Sequence, residues 1–189
     1  LERSRQGGAD AETASRRRRT ANDAAFVYAS MLMHDAVKRH AEALPVLEEV
    51  ERANADRPDV LGKAKGFRVD ALVRIAGNDP AGLAKAEEAL DDLIASIPDS
   101  PRIGVSLQLV GAALDRAAAQ ADTASRPALA RRAADRLRAW VDRAMHDGLS
   151  VKSTDALVVV DRLLAQGTEL DLHGALGIAK VWERFEGIP

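Results

Sequence analysis

The sequence predicts an all-α domain of about eight helices arranged as four pairs, and three observations carry that reading. The chain has 189 residues, 47% of them hydrophobic but only 3% aromatic. Alanine and leucine with abundant Arg, Glu and Asp favour helix, and the scarcity of aromatic and β-branched runs disfavours sheet. The stretch Asp79 to Pro101 reads as one complete amphipathic helix with both ends marked. Its core pattern, Ala followed by an apolar residue at +4 and another at +7, then recurs along the chain. The copies are Ala43–Leu47–Val50, Ala86–Leu90–Leu93, Ala133–Leu137–Trp140 and Ala175–Ala179–Trp182, spaced 43, 47 and 42 residues apart. Each interval has room for one further helix and two turns. A period in the forties filled by two helices is a repeat signature.

Residues 1–19 read as a basic N-terminal tail, with the repeat domain following over 20–189. Gly7-Gly8 is expected to break a helix, and Arg16, Arg17, Arg18 and Arg19 form a basic block. Four consecutive residues on a helix point in four directions, so the block is either solvated or bound to something. As a bound element it would meet phosphates or anionic lipid heads. Thr20 with Asp23 resembles a capping pair for a helix from about Ala21 to His40. That helix is apolar on nearly all faces around Phe26, Val27, Tyr28, Met31 and Leu32. Either other helices sandwich it or one face meets a partner, a second copy included.

A short helix from about Pro45 to Ala53 comes next, then one from Pro58 to Ala76 closed by Gly77. The latter is expected to bury Leu61, Ala64, Ala71, Leu72 and Ile75, with Arg68 in that stripe and Lys65 beside it. In the central helix Asp79 is the expected N-cap and Pro80 the first helical residue. Leu83, Ala86, Leu90, Leu93, Ile94 and Ile97 share one stripe, and Pro98 ends it. Helices follow from about Pro101 to Gln120, Pro127 to His146, Ser153 to Gln166, and from Thr168 to the Trp182–Phe185 region.

Ala86, Leu90, Leu93 and Pro98 reproduce the spacing of the second helix of a tetratricopeptide repeat. Asn78-Asp79-Pro80 and Pro98-Asp99-Ser100-Pro101 are similar to that family's inter-helix turns. Over roughly residues 20 to 187 the chain therefore resembles a divergent tetratricopeptide-repeat-like (TPR-like) array. It departs in lacking the Trp, Leu-Gly and Tyr pattern of the first helix. Its period exceeds the family's roughly 34 residues, and Leu93, Trp140 and Trp182 are larger than the usual small residue. HEAT-like helical pairs are the neighbouring architecture. The resemblance implies a right-handed α-α superhelix acting as a protein- or peptide-binding scaffold or adaptor. In such arrays the first helix of each pair lines an inner groove. Lys65 and Arg68, three apart on one helix, would there hold a peptide carboxylate. The competing reading pairs Arg68 with an acid on the next helix.

Composition and motifs exclude more than they assign. Formal net charge is −2, so no global field draws nucleic acid or membrane. The absence of cysteine excludes disulfides, thiolate metal sites and cysteine nucleophiles in this sequence. His34 and His40 lie on different sides of a helix, and no H-E-x-x-H occurs. Gly104-Val-Ser106 lacks the closing Gly and the strand of a nucleophile elbow. Gly62-Lys63 lacks the upstream loop of a phosphate cradle. Glu48-Glu49, Glu87-Glu88 and Asp91-Asp92 are adjacent, hence splayed, and are expected to be solvated surface. Trp140 and Trp182 occupy equivalent repeat positions, as ligand anchors or, more simply, as packing between repeats.

The expectation is thus a non-enzymatic interaction module with no cofactor and no metal. Its alternatives are a membrane- or nucleic-acid-associated module using the arginine block, and an all-α enzyme or small-molecule sensor. A cytoplasmic setting is expected over an exported one, although the chain begins at Leu1 and leaves an upstream segment open.

Overall fold

A computed structural model describes residues 2–146. Among them the fold is all-α, with six helices and no strand. These are α1 (Glu2–Met33), α2 (His40–Ala53), α3 (Pro58–Ala76), α4 (Pro80–Ser96), α5 (Arg102–Gln120) and α6 (Arg126–His146). The helices expected after Gly148, with the copy Ala175–Ala179–Trp182, lie outside the described residues.

Where proline and a polar cap mark a boundary, the helix starts close to it. Asp79 Oδ2 accepts from the Gly82 amide at 2.8 Å and Oδ1 from Ala81 at 3.4 Å, with Pro80 in the first turn. Pro58 opens α3, and Gly77, at φ 58, ends it in a conformation that suits glycine. Before α5 the Ser100 hydroxyl accepts from the Arg102 amide at 3.3 Å. Before α6 Asp122 Oδ1 accepts from Ser125 N at 2.7 Å.

The first two helices differ from expectation. α1 runs through Gly7-Gly8, so the segment expected to be a tail is helical, and it stops at Met33 rather than His40. Two glycines cost a helix about 1 kcal/mol each but do not forbid it. Thr20 is consequently not a cap; its hydroxyl donates to the Arg16 carbonyl at 3.1 Å. The turn that follows is set by Lys38, a non-glycine residue at φ 54. α2 begins at His40 and takes Pro45 inside it.

Each helix packs on the next, and α3 also touches α5. The core is two clusters that meet on α3. Val60, Ala64 and Ala71 join Phe26, Ala29, Leu32, Ala43 and Leu47 of α1 and α2. Val69 and Val73 join Leu83, Leu90 and Leu93 of α4, Leu107 and Leu114 of α5, and Leu129 of α6. Burial on two sides leaves no single apolar stripe on α3. This explains why Ile75, expected inside, is exposed while Val60, Val69 and Val73 are buried. Ala43, Ala86 and Ala133 are all fully buried, as are Leu47 and Leu90. Trp140 is half-buried against the second cluster. Close approach is secured by glycine: a Cβ on Gly111 would lie 2.7 Å from Leu137 Cγ, so α5 and α6 meet at that point.

Candidate binding groove

The apolar face expected on the first helix divides in two. Phe26, Ala29, Leu32 and Met33 are buried against α2 and α3. Val27 and Met31 each remain 61% exposed, and Tyr28 is also exposed. Val27 and Met31, with Phe26, Val37 and Phe67, line an open hollow of about 780 Å³ between α1 and α3. A second hollow of about 490 Å³ runs from α3 to the start of α5, past Ile97, Pro101 and Arg102. Lys63 and Phe67 of α3 line both, so the two hollows adjoin along that helix, and together they are the candidate groove of α1, α3 and α5.

Local sequence explains its floor. Gly62 and Gly66, four apart, present one bare strip of α3 to the start of α5. A Cβ on Gly62 would sit 2.7 Å from Ser100 Oγ, and one on Gly66 2.7 Å from Arg102 Cβ. That proximity lays the Arg102 guanidinium over the Phe67 ring, 4.7 Å from its centroid. Lys63 Nζ lies 4.2 Å from the centroid of Phe26, and the two rings are 5.8 Å apart. The floor is therefore two aromatic rings, each carrying a cation. Asp23, Asp59 and Asp99 are exposed along the same groove.

Lys65 and Arg68 lie elsewhere. Both bridge to Asp92 of α4, Arg68 at 2.8 Å, and Arg68 also reaches Glu51 of α2 at 3.1 Å. The two cations expected to hold a peptide carboxylate are thus engaged by carboxylates of the chain itself, where they tie α2, α3 and α4 together. Burial pushes the Glu51 carboxyl up, outweighing the attraction of Arg68 and Lys65. Burial also opposes the charge on Asp92, but the Lys65 hydrogen bond and the nearby cations hold its pKa below the ordinary value. Arg136 has its pKa raised, first by its hydrogen bond to Asp91.

The acidic pairs of α4 do splay, as adjacency requires, but they are not all solvated. Glu87 is largely buried beneath Arg132 and Arg136 of α6, and Asp91 takes Arg136 at 2.7 Å. Of the arginine block, Arg16 pairs with Glu12 at 2.6 Å and Arg18 with Asp56 at 3.6 Å. Arg17 and Arg19 are exposed. Among the described residues no three His, Asp or Glu side chains converge as a metal site, and no helix is long and apolar enough to cross a membrane.

The exposed apolar face of α1 was legible in the sequence. Lys63 and Arg102 were not singled out; the Gly62/Gly66 spacing was the available signal, since bare positions four apart mark where another element comes close. Comparison with protein-family models, with curated proteins and with solved structures finds no match to this chain.

Proposed function

We propose that the chain is a non-enzymatic, TPR-like helical-repeat scaffold that grips a segment of another protein in the groove across α1, α3 and α5. The observation that carries this is the open apolar hollow of about 780 Å³, bounded by exposed Val27 and Met31. Uncovered apolar surface of this kind, rimmed by charge, marks an interaction site. Supporting the repeat architecture, the alanines of α2, α4 and α6 take matching buried positions, and α3 touches α5 as the leading helices of successive pairs in a right-handed superhelix would. The groove's carboxylates stand at its exposed edge, which suits surface recognition rather than catalysis.

Site-specific photo-crosslinking in the native host tests the reading. A photoreactive side chain at Val27 or Met31 is expected to yield one defined protein adduct that is absent when the probe replaces exposed Asp135. Adducts equal at all three positions, or none at any, would reject it.

A further inference from the structure

Given the groove reading, the side chains of its floor dictate the chemistry of the occupant. We propose that the groove takes an amphipathic segment of a partner protein whose apolar side chains are flanked by carboxylates, and that Lys63 and Arg102 pair with those carboxylates.

The other cations of α3, and two of those on α6, are already answered. On α3, Lys65 and Arg68 meet Asp92, and Arg74 meets Asp70 and Asp35. On α6, Arg132 and Arg136 meet Glu87 and Asp91. Lys63 and Arg102 make no ion pair among the described residues; each rests on an aromatic ring instead. Arg102 Nε is buried and makes no hydrogen bond there. The acids nearby do not substitute. Asp59 is taken by Arg57 at 3.2 Å, and neither Asp23 nor Asp99 forms an ion pair with Lys63 or Arg102.

The choice of partner follows from what covering this floor would cost. A wholly apolar segment laid over Phe67 would remove water from Arg102 and leave a buried charge unpaired, which is strongly unfavourable. A basic segment would add like charge to two cations. A segment carrying Asp or Glu supplies acceptors that form charge-assisted hydrogen bonds while its apolar residues fill the space beside Val27 and Met31.

The test is selection of a displayed library of random 16-residue peptides on the whole chain, with counter-selection on Met31→Glu. The survivors are expected to combine apolar residues with Asp or Glu. The tightest should bind Lys63→Gln and Arg102→Gln roughly three- to tenfold more weakly, as for partly exposed ion pairs. That loss should shrink in about 0.5 M salt. Circular dichroism of each variant confirms that the helices are retained, and exposed Lys63 provides a variant with little bearing on folding. Peptides that need Met31 but show no acidic bias, or bind Lys63→Gln as tightly as wild type, would overturn the carboxylate assignment and leave the groove reading standing. Failure of every peptide to distinguish wild type from Met31→Glu would overturn both. So would sedimentation showing a wild-type dimer that Met31→Glu dissociates, since a second copy would then fill the groove.

Discussion

Replacing Arg68 by Met should destabilise the chain by about 2 kcal/mol at pH 7, and less on mild acidification. Arg68 is 22% exposed and lies between Glu51, at 12%, and Asp92, at 43%. Methionine keeps much of the volume but removes the charge that answers Glu51. One Glu51 oxygen already has no hydrogen-bond partner, so little else can compensate. Removing one member of a buried pair costs about 3–5 kcal/mol. Water reaches Asp92, which also keeps Lys65 and Ser96, so screening reduces the figure to about 2 kcal/mol.

The pH dependence separates this account from a simple packing loss. Burial already raises the Glu51 pKa above its ordinary 4.5, against the attraction of Arg68 and Lys65. Between the unfolded and the folded value the folded state binds more protons, so stability rises as pH falls through that window. Losing Arg68 raises the folded value further and widens the window. Asp92 acts oppositely: with its pKa depressed, its contribution is complete above 3.8 and is lost as pH falls through the lower folded value. At pH 5 that contribution is intact. Urea unfolding followed at 222 nm should therefore show a wild-type-to-variant gap of about 2 kcal/mol at pH 7 that narrows by pH 5. Adding Glu51→Gln should recover part of the loss at pH 7. A gap below about 0.5 kcal/mol, as for an ordinary surface substitution, or one equal at both pH values, would refute the reasoning.

Two buried amides join α1 to the end of α2: Asn22 and Asn54 exchange hydrogen bonds at 3.0 Å in both directions, and Asn54 also donates to the Val50 carbonyl at 2.8 Å. Asn22→Ala should cost about 1–3 kcal/mol in chemical unfolding, because it leaves Asn54 partly unsatisfied. Gly66→Ala should cost about 1–3 kcal/mol by driving a methyl into Arg102, whereas Gly104→Ala, with open space around it, should stabilise α5 by about 0.5–1 kcal/mol; thermal melts of the two variants should move in opposite directions. Asp79→Ala removes the cap of α4 and should cost about 1 kcal/mol in the same melts, with Asp79→Asn retaining most of it.

What could be read from the sequence followed from local chemistry. Pro58 with Gly77, and Asp79-Pro80 with Pro98, delimit α3 and α4 because the residues that mark the ends also satisfy or omit the end amides. The stripe of α5 was legible because that helix buries Ile103, Leu107, Val110, Leu114 and Ala117 on one face. α3 was not, because it is buried on two sides and its pattern is a superposition. Nor could the start of α2 be read, since Pro45 looks like a first residue and stands inside the helix. The partners of Arg68 lie 17 residues before and 24 after it, on helices whose packing decides which acids face α3. The same limit hid Lys63 and Arg102: their significance comes from rings and acids brought near by tertiary packing.

The central claim is that the hollow beside α1 is where a partner sits, and methyl NMR of the methionines tests it most directly. Met31 is exposed in the groove, whereas Met33, two residues on and on the other side of α1, is buried and does not line it. With methyl-labelled methionine assigned by Met31→Leu and Met33→Leu, titration with a selected peptide should shift the Met31 methyl in step with the binding isotherm and move Met33 much less. Saturable binding that leaves the Met31 methyl where it stood would contradict the account.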